Sequence, residues 1–218
     1  MTTMPAVVRQ VAALGGTRSR VRLGRGPRLL AVTAALLLGL VYMAPLWSIR
    51  LIAPQYPEGL GMHIRVNTVS GMMPTDLDNI NGLNHYIGMK TIQPDAIPEL
   101  RYMPWIVAAL ILGGLITAFA GRRRALFAWA VAYGTAAVAG LIDFWKWEYD
   151  YGHNLDMAQA IIKVPGMNYQ PPLIGSKQLL NFTAASWPGV GGWAAGLSIA
   201  LVLAAVVLAL RARRPVAA

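Results

Sequence analysis

The sequence predicts an all-α membrane protein of four transmembrane helices, with both termini cytoplasmic and two ordered extracytoplasmic loops that form a cap. Three observations predict it. The 218 residues are 56% hydrophobic and only 13% charged, roughly half the charge of an average soluble domain. The apolar residues collect in four long runs instead of spreading through the chain. The basic residues collect at the ends of those runs, in one alternating sense.

The first span is expected over residues 29–47, closed by Tyr42, Pro45 and Trp47. The second is expected over 104–120, opened by Tyr102 and Trp105, and the third over 126–145. The fourth covers 190–210, with Trp187 and Trp193 at its start. Each run is long enough to cross a hydrocarbon layer of about 30 Å at 1.5 Å per residue. Six of the seven tryptophans fall at one set of run ends, as an interfacial belt requires, and Trp129 alone lies elsewhere. Gly113, Gly114, Gly134 and Gly140 are expected to allow close helix packing.

The formal net charge of +10 does not indicate nucleic acid. Arg9, Arg18, Arg20, Arg22, Arg25 and Arg28 precede the first run, Arg122, Arg123 and Arg124 separate the second from the third, and Arg211, Arg213 and Arg214 follow the fourth. The remaining seven basic residues face nine acidic ones. The excess is a topology signal, which places the arginines inside and the loops of residues 48–103 and 146–189 outside. The expected setting is a bacterial inner membrane with both loops in the periplasm. Residues 1–28 read as a disordered basic cytoplasmic tail, and residues 211–218 as a second short tail. With no cysteine, disulfides and thiolate sites are excluded.

The loops are rich in Pro, Gly and aromatic residues, a mixture that predicts ordered structure. Leu60–Val66 alternates as a short strand does. Asp76 or Asp78 is placed to cap a helix over 79–91, Asp156 to cap another through Ile162, and residues 178–186 suggest a third. In a helix over 79–91, His85 and Met89 project from one side.

All three histidines, together with Met62, Met72, Met73, Met89, Met157 and Met167, lie on the outer side. Imidazole with thioether suits copper, Cu(I) above all. His85-x-x-x-Met89 and His153-x-x-x-Met157 share a spacing that brings both ligands to one side of a helix, and Met62 precedes His63. The candidate metal ligands are therefore His85, Met89, His153, Met157 and Met62. A second cluster, Asp143 to Asp156, holds four acids, Lys146 and His153. It reads as an interfacial charge network, with Lys146 and Arg101 as partners for Asp143. No phosphate loop, zinc-protease motif or nucleophile elbow is present, so no enzyme is expected.

Four segments resemble a known group: Ala53–Leu60 (APQYPEGL), Ile80–Lys90 (INGLNHYIGMK), Asp143–Asp156 (DFWKWEYDYGHNLD) and Val164–Gly175 (VPGMNYQPPLIG). They are similar to bacterial membrane proteins found in gene neighbourhoods of nitrous oxide reductase, beside a NosL-type copper-chaperone lipoprotein and an ABC-type maturation system. The resemblance implies an accessory role in assembly of, or copper delivery to, an extracytoplasmic copper enzyme. Two other readings stand beside it. One is a metal-free scaffolding subunit that binds a membrane or periplasmic protein through aromatic loops, Trp145 and Trp147 among them. The other is a subunit of quinol-linked electron transfer.

Overall fold

Among the described residues, four helices are long and apolar enough to cross a membrane, and they carry a five-stranded antiparallel sheet at one end. The computed structural model describes residues 22–212. Most of the expected 1–28 tail and nearly all of the 211–218 tail lie outside the described residues.

Helix α1 (Arg25–Leu38) continues as a 3₁₀ turn over Gly39–Tyr42. Next come β1 (Trp47–Ala53), β2 (Tyr56–Ile64), β3 (Val69–Gly71) and α2 (Asp76–Ile87). The long helices α3 (Glu99–Ala120) and α4 (Arg123–His153) follow. A hairpin of β4 (Gly175–Leu179) and β5 (Phe182–Pro188) then leads into α5 (Val190–Arg211). The all-α expectation is thus corrected: the bundle is helical, but its cap is built on a sheet.

The bundle core sets small residues beside large ones such as Leu126, Trp129 and Tyr133. Ala31, Ala34, Ala35 and Ala205 are fully buried and allow α1, α3 and α5 to approach closely. Ser198 donates to the Ala34 carbonyl at 2.7 Å, and Trp129 Nε1 donates to the Leu110 carbonyl at 2.8 Å. Gly114 makes room for that indole, since a Cβ there would lie 2.5 Å from Trp129 Cζ2. Gly134 and Gly140 have no such neighbour and do not serve as packing notches. Phe119, Trp105 and Ile116 point outward and are strongly exposed, as side chains facing lipid are.

At the arginine end, Leu23 N–H donates to the Gly121 carbonyl at 2.8 Å, and Arg22 bridges to Arg122. The start of α1 therefore lies beside the turn between α3 and α4, opposite the sheet.

The sheet order is β3-β2-β1-β5-β4. Trp47 pairs with both Ile64 and Pro188, next to the helices, whereas Ile52 pairs with Thr183 and Ala53 with Tyr56 at the far end. In β1 the side chains alternate, with Ile49 and Ala53 buried and Arg50 and Ile52 exposed. The expected helix over 178–186 is instead the β4–β5 hairpin. Phe182–Ser186 carries β-branched and aromatic residues, and its period of two buries Ala184 and Ser186. The segment after Asp156 is a run of turns, not a helix.

At 31 residues, α4 is about 46 Å long, well beyond the thickness of a bilayer core. Its apolar portion ends near Trp145. Residues 146–153 pack into the cap, where Trp147 and Tyr151 join Ile49, Leu60 and Ile80 in a second core.

Candidate functional site: a cap cavity around a buried acid

Helical spacing decides which side chains of the α4 extension turn inward. Phe144, Trp147 and Tyr151 form an aromatic ladder, with centroids 6.4 Å apart between Phe144 and Trp147 and 4.5 Å between Trp147 and Tyr151. Phe144 rests on Trp47 of β1 at 5.1 Å. Glu148 follows Phe144 by four residues, so it is carried to the same side. The other face stacks Trp145, Tyr149 and His153, with centroid separations of 5.4 and 4.0 Å.

The inward face meets a cavity of about 490 Å³ between the sheet, α2 and the α4 extension. Its walls are mostly aliphatic and aromatic. Glu148 lines it, is 1% exposed, and neither carboxylate oxygen has a hydrogen-bond partner. Burial alone pushes its pKa from 4.5 to about 8. The Tyr169 hydroxyl is likewise buried without a partner, and burial raises its pKa. Unpaired buried polar atoms of this kind cost free energy and are rare in folded proteins.

Local structure holds the walls in place. Asp76 begins α2, and its Oδ2 accepts from Gly61 N–H at 3.0 Å and Met73 N–H at 3.1 Å, which fixes the helix to β2. Gly88, at φ +76°, ends α2 in the left-handed conformation. Asn81 then clasps the backbone of Ile92 through both amide atoms, at 2.7 and 3.1 Å, so that Met89 and Ile92 are brought to the cavity. At Gly152 a Cβ would lie 2.4 Å from the Gln170 backbone. That close approach lets Gly152 accept from Tyr169 N–H at 2.9 Å and sets the phenol in the wall.

The expected metal ligands are divided by this arrangement. Met62, buried on β2, and Met89 both line the cavity. His85, His153 and Met157 do not. His85 is exposed on the last turn of α2. Because Gly88 terminates that helix, His85 and Met89 do not share a helical face. α4 ends at His153, so Met157 is not one helical turn above it. His153 donates from Nδ1 to the Tyr149 carbonyl at 3.1 Å, leaving Nε2 open. The segments that carry His85 and His153 do meet, since Asp156 N–H donates to the Gly88 carbonyl at 2.7 Å. Among the described residues, no group of three or more His, Cys, Asp or Glu side chains is placed to hold a metal ion.

Within the acid cluster, Asp143 forms no ion pair with Lys146 or Arg101. The ion pair found joins Lys90 to Asp150 at 2.6 Å and ties the first loop to α4. Hydrogen bonds from Lys90 and then Asn154 hold the Asp150 carboxyl below its ordinary value. Trp147 is half-buried in the cap core, whereas Trp145 is exposed. Sequence reasoning saw the acids of α4 as one cluster and did not separate Glu148. The inward spacing of 144, 147, 148 and 151 was the available signal. Compared with known proteins, the chain matches no family model and no curated protein.

Proposed function

We propose that the protein is a membrane-anchored binding module whose cap holds a small, largely apolar molecule on the outer side of the membrane. The observation that carries this reading is the cavity with an unpartnered, fully buried Glu148 in its wall. A void of 300–1,000 Å³ with apolar walls and few polar groups is the usual form of a small-molecule site. The exposed members of the lining are Gln55, Tyr86, Ile162, Leu180 and Asn181. Gln55, Leu180 and Asn181 lie in the hairpin turns at the strand ends farthest from the helix bundle, about 20 Å up β1 from Trp47, whereas Ile162 lies at the end of α2, its N–H donating to the Tyr86 carbonyl at 2.8 Å. Entry is therefore from the aqueous side, which disfavours a quinol drawn from the bilayer. The lining has no Ser, Thr, Cys, His or Lys, so binding is favoured over catalysis. The positive-inside bias supports placing the arginine end in the cytoplasm and the cap in the periplasm.

The test is calorimetric titration of the detergent-solubilised chain with benzyl alcohol and phenylpropanol, beside Ala184→Phe. Ala184 is fully buried and lines the cavity, so a phenyl ring there fills it. Saturable binding to the wild type, weakened at least about tenfold in the variant, is expected for a pocket that loses its volume. Equal heats in both would overturn the reading.

A second reading is copper handling for an extracytoplasmic copper enzyme. It is favoured by Met62 and Met89 both lining the cavity, since thioethers suit Cu(I). Cu(I) retention against a competing chelator, lost in the Met62→Leu, Met89→Leu double variant, is its expected signature. Undiminished retention there would remove it.

A further inference from the structure

We infer that the molecule held in the cap cavity is a hydrophobic monovalent cation, an amine or quaternary ammonium carried on an apolar body. This rests on the cavity being a binding site and adds the charge of its ligand. Three features of the wall carry it.

The first is charge balance. Glu148 is the single ionisable acid of the lining, and no Lys, Arg or His accompanies it. Lys90, next in sequence to the lining residue Met89, is already tied to Asp150 at 2.6 Å. Neither oxygen of Glu148 has a donor. Burial keeps this carboxyl protonated while the cavity is empty, and a bound ammonium is the ligand that supplies both a hydrogen-bond donor to its oxygens and the counter-charge with which it ionises.

The second feature is the aromatic content. Tyr56, Tyr86, Trp147, Tyr151, Tyr169 and Phe182 all line the same void. Trp147 and Tyr151 lie 4.5 Å apart, and Tyr169 stacks with Phe182 at 6.4 Å. Aromatic faces attract ammonium groups through their quadrupoles, more strongly where water is excluded.

The third feature is what the walls lack. Hard inorganic cations require six or more oxygen ligands in the case of calcium, or retained water in the case of magnesium. A largely aliphatic wall provides neither. Anions would meet an acid and no base. An organic cation with an apolar body satisfies the carboxyl, the aromatic faces and the aliphatic walls together.

The experiment compares three probes of one shape and different charge: phenylpropylammonium, phenylpropanol and phenylpropionate. Each is titrated calorimetrically into the full chain in mild detergent, and into Glu148→Gln and Phe182→Leu. The wild type is expected to bind the ammonium at least about tenfold more tightly than the alcohol, and the propionate least. Glu148→Gln should erase that preference while keeping the alcohol. Phe182→Leu should weaken the ammonium more than the alcohol. Equal affinity for ammonium and alcohol in the wild type overturns the inference and leaves the cavity reading intact. So does a preference that survives in Glu148→Gln. Failure of all three probes to bind the wild type overturns both.

Discussion

The middle of the helix bundle and the cap cavity differ in the buried polar groups they leave unpaired. In the bundle, Ser198 and Trp129 each donate to a main-chain carbonyl of a neighbouring helix. In the cap, Glu148 and Tyr169 are as deeply buried yet have no partner. A membrane interior offers no water to correct an unpaired group, so the bundle must be closed on itself. The cap faces water and can hold polar atoms in reserve. Residues that leave hydrogen-bonding capacity unused in an otherwise well-packed region are candidates for binding something else.

The comparison breaks most sharply at Trp129. Its indole is 6% exposed, packs against Gly114 and holds Leu110 by a 2.8 Å bond. Trp129→Ala removes that ring and leaves a void between α3 and α4. A loss of about 3–5 kcal/mol is expected, as for other buried aromatic truncations. Thermal unfolding in detergent checks it. A melting point within a degree or two of wild type would show that the bundle does not depend on this contact.

The helices were legible in the sequence because four apolar runs with arginine ends admit few other readings. The sheet was not, for a physical reason. β1 begins at Trp47, where the interfacial end of the first run masks the alternation of Ser48–Ala53. The β4–β5 hairpin turns through Leu180, at φ +54°, with no glycine in the turn to announce it. The site was half visible. Met62 and Met89 were named for their sulfur and do line the cavity, while His85 and His153 were paired with methionines through helices that end before the second ligand. Tyr169 came from a loop whose position depends on a contact with Gly152, seventeen residues away in helix α4, and no local pattern encodes that.

Glu148 gives the next effect, and its sign is opposite to that of most carboxylates. In the folded protein it keeps its proton up to about pH 8, whereas unfolded it releases it near 4.5. Between these values the unfolded state binds fewer protons. Stability is therefore greatest below about 4.5, falls as pH rises and levels off above about 8. The span is on the order of a few kcal/mol. Glu148→Gln keeps the shape, cannot ionise and should flatten the curve across this window. The same downward slope in Glu148→Gln would mean that another group carries it.

The smallest effect comes from the acid two residues further along α4, and it sharpens the comparison within a single helix turn. Asp150 lies at the cap surface, paired with Lys90, and both side chains are about half exposed (51% and 43%). Water and salt screen such a pair, so Lys90→Ala should cost no more than about 1 kcal/mol. Its pH dependence runs the other way from that of Glu148. The Lys90 and Asn154 bonds depress the Asp150 carboxyl, so their contribution is present at neutral pH and fades as acid protonates it. Lys90→Ala should therefore lower stability slightly at pH 7 and by less as acid protonates Asp150, while the slope due to Glu148 persists in the variant. If Lys90→Ala instead removed that slope, the lysine would be acting on the buried acid, and the separation of the two faces of α4 would fail.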